Sequence, residues 1–201
     1  MDDVLELPCI VRLRNGRSAT LDLVEAKDGP HLLAFYRSIP EEDRLVLKDD
    51  VTTADWLDRF LGKLASREAV SVAARVAGEI QGEATLYRSF HGWSRHVGEI
   101  RLNVDRSVRG QGLGLALARQ IVKLAIGQGI DKLVAHMVDS QTAAKRTFEK
   151  LGFHREAELP GQVQDIRGRK HNLLVYANDV SHIWAAMEML LGDFRPDRAT
   201  R

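Results

Sequence analysis

The sequence predicts an α+β domain of three layers: a mixed, mostly antiparallel central sheet with helices on both faces and one β-α-β crossover. Three observations carry this. Residues 69–88 hold two apolar, partly alternating stretches around Ala77 and Gly78, the pattern of an antiparallel hairpin. Residues 97–138 run strand, glycine-rich bend, amphipathic helix, strand, which is the order of a crossover expected to be right-handed. Further helical stretches stand before, within and after these strands, so the sheet is covered on both sides.

Taken in order, residues 8–24 read as a short hairpin, with Arg14-Asn15-Gly16 as the turn and an alternating strand behind it. Asp28, Gly29 and Pro30 open a helix that runs to about Ser38 and is closed by Pro40. Thr53 is the N-cap of a second helix ending near Leu64. The hairpin 69–76 and 79–88 follows, then a polar loop and a strand over 96–105. A helix is expected over 112–128, a strand over 132–138, and a helix from Ser140 to Leu151 with Gly152 as its left-handed C-cap. Residues 153–159 and 171–177 form a closing strand pair joined through the turn-rich 160–170. A last helix starts near Ser181 and places Ile183, Trp184, Met187, Leu190 and Leu191 on one stripe. The expected organisation is one domain over 1–192 and a frayed tail over 193–201.

Composition removes several function classes. At 201 residues the chain has the length of one ordinary domain, and 44% hydrophobic content is that of a folded globular protein. With 29 basic and 28 acidic residues interspersed, there is no basic stripe, so nucleic acid is not an expected partner. The single Cys9 has no disulfide partner within the chain, and no CxxC or paired-His spacing suggests a metal. Met1 is followed by Asp2 and Asp3 rather than by a basic segment with an apolar run, and no apolar run of about 18 residues occurs. The expectation is a cytoplasmic protein without a membrane segment.

The segment Arg106 to Ala125, RSVRGQGLGLALARQIVKLA, crowds Gly110, Gly112 and Gly114 at the entrance of a helix. Glycine inside an element costs roughly 0.5–1 kcal/mol relative to alanine, so the cluster asks for a reason. The first turn of a helix has amides without a partner in the chain, and the helix dipole adds partial positive charge there. An anion satisfies both, and glycines remove the side chains that would keep it at a distance. A Walker loop is excluded, because Leu115 and Ala116 stand where its lysine would fall; a Rossmann fingerprint fails because Leu115 and Leu117 take the place of its third glycine. A turn lined with glycine purely for close helix packing is the alternative.

Arg109-Gly110-Gln111-Gly112-Leu113-Gly114 matches the Gln/Arg-x-x-Gly-x-Gly/Ala signature, and the chain resembles the GNAT superfamily of acyl-CoA-dependent N-acyltransferases over roughly residues 68–178. The segment 142–153 stands in the place of that superfamily's second cofactor-facing helix. The resemblance implies acetyl-CoA as cofactor, with its pyrophosphate on the amides of Arg109, Gly110, Gln111, Gly112, Leu113 and Gly114. It further implies that strands 97–104 and 132–138 splay apart at a bulge, and that the pantetheine arm pairs there with the backbone of Leu102, Asn103 and Val104, like an added strand.

Attack of an amine on a thioester is helped by a base, because a primary amine of pKa near ~10 is mostly protonated at neutral pH. Glu99 is the candidate catalytic base: some GNAT protein-lysine acetyltransferases, the nearer comparison on this point, carry a glutamate at a similar place on this strand. By alternation Val97, Glu99, Arg101 and Asn103 share one face, so Glu99 also reads as a solvated partner of Arg101. His136, on the next strand, is the second candidate by residue type or a satisfied core histidine. Many family members have an Asn followed seven residues later by a Tyr that protonates the thiolate; here those positions are Gln141 and Phe148, both lining the cofactor in the resemblance. Phe148 donates no proton, which leaves water, the substrate's ammonium, Tyr176 or Ser140 as the acid. Lys145 and Arg146 are placed to contact the adenosine phosphates or to lie solvated on the helix.

The acceptor pocket of the family comes from the first two helices, here about 28–64, and the loop 160–170. Glu41, Glu42, Asp43, Asp49, Asp50 and Asp55 lie in the first region and Arg167, Arg169 and Lys170 in the second. Acidic residues at the entrance suit a cationic amine or a lysine side chain, although such runs also form plain solvated faces. The function expected is transfer of an acetyl group to a primary amine of a small molecule, protein lysine or N-terminus, with a homodimer as the candidate assembly; the alternative is a non-catalytic acyl-CoA sensor.

Overall fold

The computed structural model describes residues 7–191. One eight-stranded sheet runs through it in the order β1-β2-β3-β4-β5-β6-β8-β7, antiparallel except where β5 meets β6. The strands are β1 (Cys9–Arg12), β2 (Ser18–Leu23), β3 (Ala69–Val76), β4 (Glu79–Arg88), β5 (Val97–Val104), β6 (Lys132–Val138), β7 (His154–Gln164) and β8 (Lys170–Asp179). The helices are α1 (Gly29–Ser38), α2 (Glu41–Arg44), α3 (Ala54–Ala65), α4 (Leu113–Gly127), α5 (Thr142–Lys150) and α6 (Val180–Leu191).

The sheet separates two cores. On one face Ala19, Leu21, Val72, Ala74, Leu86, Ile100 and Leu133 pack against Leu117, Ile121 and Ala125 of α4, Phe148 of α5 and Ile183 and Met187 of α6. On the other, Ala73 and Ile80 meet Leu32, Phe35 and Tyr36 of α1 and Trp56 and Phe60 of α3. Strand β3 is therefore covered on both sides, which is why Ala69–Val76 reads as an almost continuous apolar run rather than a strict alternation. Helix α4 lies close on the sheet because β4 offers Gly82 beneath it: a Cβ there would sit 2.9 Å from Leu117 Cδ1. That contact aims the start of α4 at the end of β5.

Local signals hold where they were read. The Thr53 hydroxyl accepts from the Trp56 amide at 3.2 Å and starts α3, and Gly152 has a φ of 87° behind α5. Two readings change. The four-residue helix α2 sits where only a linker was expected, with Asp43 and Arg44 amides bonding back to the Pro40 carbonyl. The segment 160–170 is mostly strand: β7 and β8 extend through it, and the turn is confined to 165–169. Pro160 is tolerated because β7 is an edge strand, so its missing N–H breaks no inner ladder, and the register shifts between Leu159 and Val163. In the last helix the stripe holds at Ile183 and Met187, both fully buried, with Trp184 packed beside them. The side chains of Leu190 and Leu191 and the expected tail at 193–201 lie outside the described residues. Among the described residues, no helix is long and apolar enough to cross a membrane.

One buried acid stands between the second core and the site described below. Glu83 of β4 is fully buried and takes hydrogen bonds from the hydroxyls of Tyr36 (2.8 Å), Ser71 and Thr85. Burial pushes its carboxyl up, and the hydroxyl donors offset this only in part. The folded chain thus holds the Glu83 proton to higher pH than the unfolded chain, and stability declines as pH rises above the ordinary carboxylate range. Glu83→Gln keeps the shape without the charge. Thermal unfolding at pH 8 should show the variant ahead by roughly 2–4 °C, the equivalent of about 1 kcal/mol in a chain of this size, with the gap closing near pH 4. Equal midpoints at both pH values would mean that the hydroxyls fully carry the ionised form.

Candidate active site

Beyond β5 the chain makes a short 3-10 turn over Arg106–Val108, capped by the Asp105 carboxylate on the Ser107 amide at 2.8 Å and anchored by the fully buried Val108. Gly110 and Gly112 then take φ of 74° and 91°, a region open to glycine and strained for branched side chains. Gly112 begins α4 by accepting the Ala116 amide at 3.1 Å, so the amides of Leu113, Gly114 and Leu115 precede the first helical donor. The buried Leu113 and Leu117 hold this end of α4 in the core. A Cβ on Gly110 would meet nothing within 4 Å, so there is room above the bend. Convergent free amides, a helix N-terminus and open space fit a phosphate group. Gln111 faces its carbonyl the other way, accepting the Arg14 amide at 3.1 Å.

The parallel pairing of β5 with β6 lasts only three residues, Val97 with Lys132, Gly98 with Leu133 and Glu99 with Val134. Past that point the strands part. The opening arises without a bulge in β5, whose register against β4 is continuous from Gly98 to Val104, so the expected bulge is corrected to a simple divergence. Because the Asp105 amide bonds to Gln81 on β4, alternation turns the backbone groups of Leu102 and Val104 into the opening and those of Asn103 toward β4. The backbone of Leu102 and the Val104 amide thus face the opening, where an inserted chain can pair with them. That of Asn103 does not, and its side chain instead donates to the Tyr36 hydroxyl at 3.2 Å. The Val104 carbonyl already accepts from Arg109 Nε at 2.9 Å, which links the bend to the rim of the opening.

At the apex of the opening, on the α1–α3 face, three side chains converge. Lys48 Nζ lies 2.7 Å from Glu99 Oε1 and 2.7 Å from His136 Nδ1. Arg101 Nε also donates to Glu99 Oε1 at 2.8 Å, while its Nη1 donates to Asp49 at 2.8 Å and its plane lies 4.4 Å above the Tyr87 ring. Burial pushes the Glu99 carboxyl up, but Lys48 and Arg101 outweigh it and hold it well below the usual carboxylate range. His136 Nδ1 is 3.5 Å from Glu99 Oε2. An ammonium has only donors, so the shorter Lys48 contact makes Nδ1 an acceptor, and the two cations carry the effect on Glu99. Glu99 is therefore an anchored anion, and His136 presents the lone pair.

The remaining expected residues belong to α5 and β8, and Phe148 and Tyr176 lie in the core on the other face of the sheet. Gln141 starts α5 and turns its carbonyl oxygen onto the Val138 amide at 2.8 Å; Lys145 donates to the Asp139 carbonyl at 2.9 Å. Phe148 is buried edge-on to Phe153, with ring centroids 5.1 Å apart. Tyr176 lies in the α4–α6 core and donates to Glu149 at 3.1 Å, across the sheet from His136. The acidic run is not a free electrostatic funnel. Asp43 bridges Arg106 (2.7 Å) and Arg109 (2.8 Å), Glu41 meets Arg167 at 2.5 Å, and Asp49 meets Arg101. The segment 41–50 is thus a strap tied to the bend, to β5 and to the β7–β8 turn. Lys48, Tyr36 and Glu83 were not singled out from sequence, because their roles depend on partners far along the chain. A separate open cavity of about 640 Å³, lined by Phe90, Trp93, His96, Gln128 and Asp131, lies at the opposite end of α4 from the bend and takes in none of these groups.

Comparison with known proteins agrees with this geometry. Residues 30–153 match the model of the Acetyltransferase (GNAT) family. A Bacillus subtilis (strain 168) protein, YwnH, provisionally named a phosphinothricin acetyltransferase, is 27% identical over 166 residues, which is 81% of this chain and 99% of that protein. The L-methionine sulfoximine/L-methionine sulfone acetyltransferase of Pseudomonas aeruginosa PAO1 is 28% identical over 156 residues, 71% of this chain and 84% of the relative. In fold, the Salmonella typhimurium protein yncA, solved with its cofactor acetyl-CoA, superposes with a TM-score of 0.68 at 19% identity, over 81% of this chain and 94% of that one. A glycine-lined bend at the head of α4, strands that part ahead of it, and a family match that spans both lead to one conclusion: the chain belongs to the GNAT family of acetyltransferases.

Proposed function

We propose that the chain moves an acetyl group from acetyl-CoA directly to the primary amine of a small amino-acid-like molecule. The observation that carries this reading is that Glu99 and His136 converge on one ammonium, in this structure that of Lys48, which the acceptor amine would replace at the apex where β5 and β6 part. Acetyl-CoA supplies the activated acetyl group. The amides of Gly110 to Gly114 hold its pyrophosphate, that of Arg109 being spent on the Arg106 carbonyl at 3.3 Å, and the backbone of Leu102 with the Val104 amide pairs with its pantetheine arm. Glu99 holds the acceptor as an ammonium, and His136 Nδ1 takes the proton that must leave before the nitrogen can attack. A dedicated acid is dispensable, since a thiol of pKa about 8.5 is a fair leaving group near neutral pH. Phe148 then serves as an apolar wall, and Tyr176, occupied with Glu149, has no part.

The small-molecule acceptor is supported by the two curated relatives, both named for amino-acid analogues. Thiol release from acetyl-CoA, measured with L-methionine sulfoximine, L-phosphinothricin and a lysine peptide, tests it. The analogues should exceed the peptide in kcat/KM by at least about tenfold, a difference of ~1.4 kcal/mol in transition-state binding. A preference for the peptide would refute the substrate class, and binding of acetyl-CoA without release to any amine would refute the transfer itself.

A further inference from the structure

The chain places one of its own amines where the proposed reaction needs one. We propose that Lys48 is a self-acetylation site, modified within the same molecule from an acyl-CoA thioester; this rests on the transfer reading above. The geometry is built rather than incidental. Lys48 belongs to the strap between α2 and α3, whose Leu45 and Val51 are buried on either side of it and whose Asp49 is ion-paired to Arg101 at 2.8 Å. These anchors deliver Nζ to 2.7 Å from both Glu99 Oε1 and His136 Nδ1, the anion and the proton acceptor of the site. Glu99 is the last residue of β5 paired to β6, so Nζ stands at the mouth of the opening. An intramolecular amine held in this way gains the advantage of proximity over any amine from solution.

The step balances without an oxidant or reductant. His136 Nδ1 takes a proton from the ammonium, the Nζ lone pair forms a bond to the thioester carbonyl carbon, and the carbon–sulfur bond breaks with its electron pair going to sulfur. In sum, the Lys48 ammonium and the thioester give an acetylated Lys48, coenzyme A thiol and one proton. The product lacks the positive charge that now pairs with Glu99, while Arg101 stays on that carboxylate.

The test uses the full chain incubated with acetyl-CoA and no other amine, followed by intact mass and by peptide fragmentation. The expected result is one added acetyl group on Lys48, appearing with a first-order rate constant that stays the same across a tenfold range of protein concentration. Lys48→Arg should abolish it while retaining the positive charge. Acetyl groups spread over other lysines, or a rate constant rising with protein concentration, would overturn the proposal. A parallel sample with L-methionine sulfoximine and a calorimetric titration with coenzyme A separate the two readings. Turnover of the small amine with an unmodified Lys48 overturns self-acetylation alone, whereas absence of both coenzyme A binding and turnover overturns the transfer reading and this one together.

Discussion

His136→Asn should lower kcat about 10²- to 10⁴-fold, the range usual for loss of a positioned general base, with acetyl-CoA affinity unchanged. Asparagine sets an amide oxygen near the place of Nδ1, so the acceptor is still held, but the amide takes no proton at neutral pH. The deficit should shrink as pH rises, because the fraction of free amine in solution grows toward its own pKa near ~10. Glu99→Gln should act differently. The Glu99 carboxyl is held well below the usual range, so it stays ionised throughout the acid-to-neutral region, and proton uptake by it is unfavourable. Its removal should raise the KM for the amine more than it lowers kcat, and the acid limb of the kcat/KM profile should persist in the variant. A His136→Asn enzyme within about threefold of the parent, beside a Glu99→Gln enzyme whose kcat alone collapses, would return the base role to Glu99.

Gly112→Val should weaken acetyl-CoA binding at least tenfold, about 1.4 kcal/mol, when measured by calorimetry. Gly112 sits at φ 91° and ψ −7° at the head of α4, where a branched residue is both strained and set among the amides that face the anion. Strain alone would lower stability wherever it was introduced, so a control is needed. Gly129→Val meets the same backbone demand at φ 68° with nothing within 4 Å, at the far end of α4. Both variants should lose on the order of 1–3 kcal/mol of stability, and only Gly112→Val should lose affinity. If the two bind acetyl-CoA equally well, the bend is a packing device and the anion lies elsewhere.

The acidic segment 41–50 shows how a composition-level argument and a structure part company. As sequence, six carboxylates before and within α3 suggest attraction for a cationic acceptor. In the fold, Glu41, Asp43 and Asp49 are each matched by an arginine, and hydrogen bonding from Arg106 holds the Asp43 carboxyl below its ordinary range. At the centre of the site the one carboxylate, Glu99, is itself met by Lys48 at 2.7 Å and Arg101 at 2.8 Å, so no surplus of negative charge is left there. The strap that results also carries Lys48 into the site, so the run read as a lure is a tether.

What the sequence by itself determined was whatever neighbouring residues encode. The Thr53 cap, the hairpin at Ala77-Gly78, the glycine bend and the crossover helix each depend on contacts within a few residues, and each was legible with its approximate bounds. Tertiary structure alone decided the rest. The four-residue α2 is too short to carry a periodic signal, and β7 and β8 lengthen because pairing with each other satisfies backbone groups that a loop would leave to water. The same holds for the centre of the site. Lys48 meets Glu99 across 51 positions and His136 across 88, and the backbone of Asn103 points away from the opening because β4 claims it. Such contacts follow from strand order and register, which are settled by burying both faces of the sheet at once, and no window of adjacent residues contains that information.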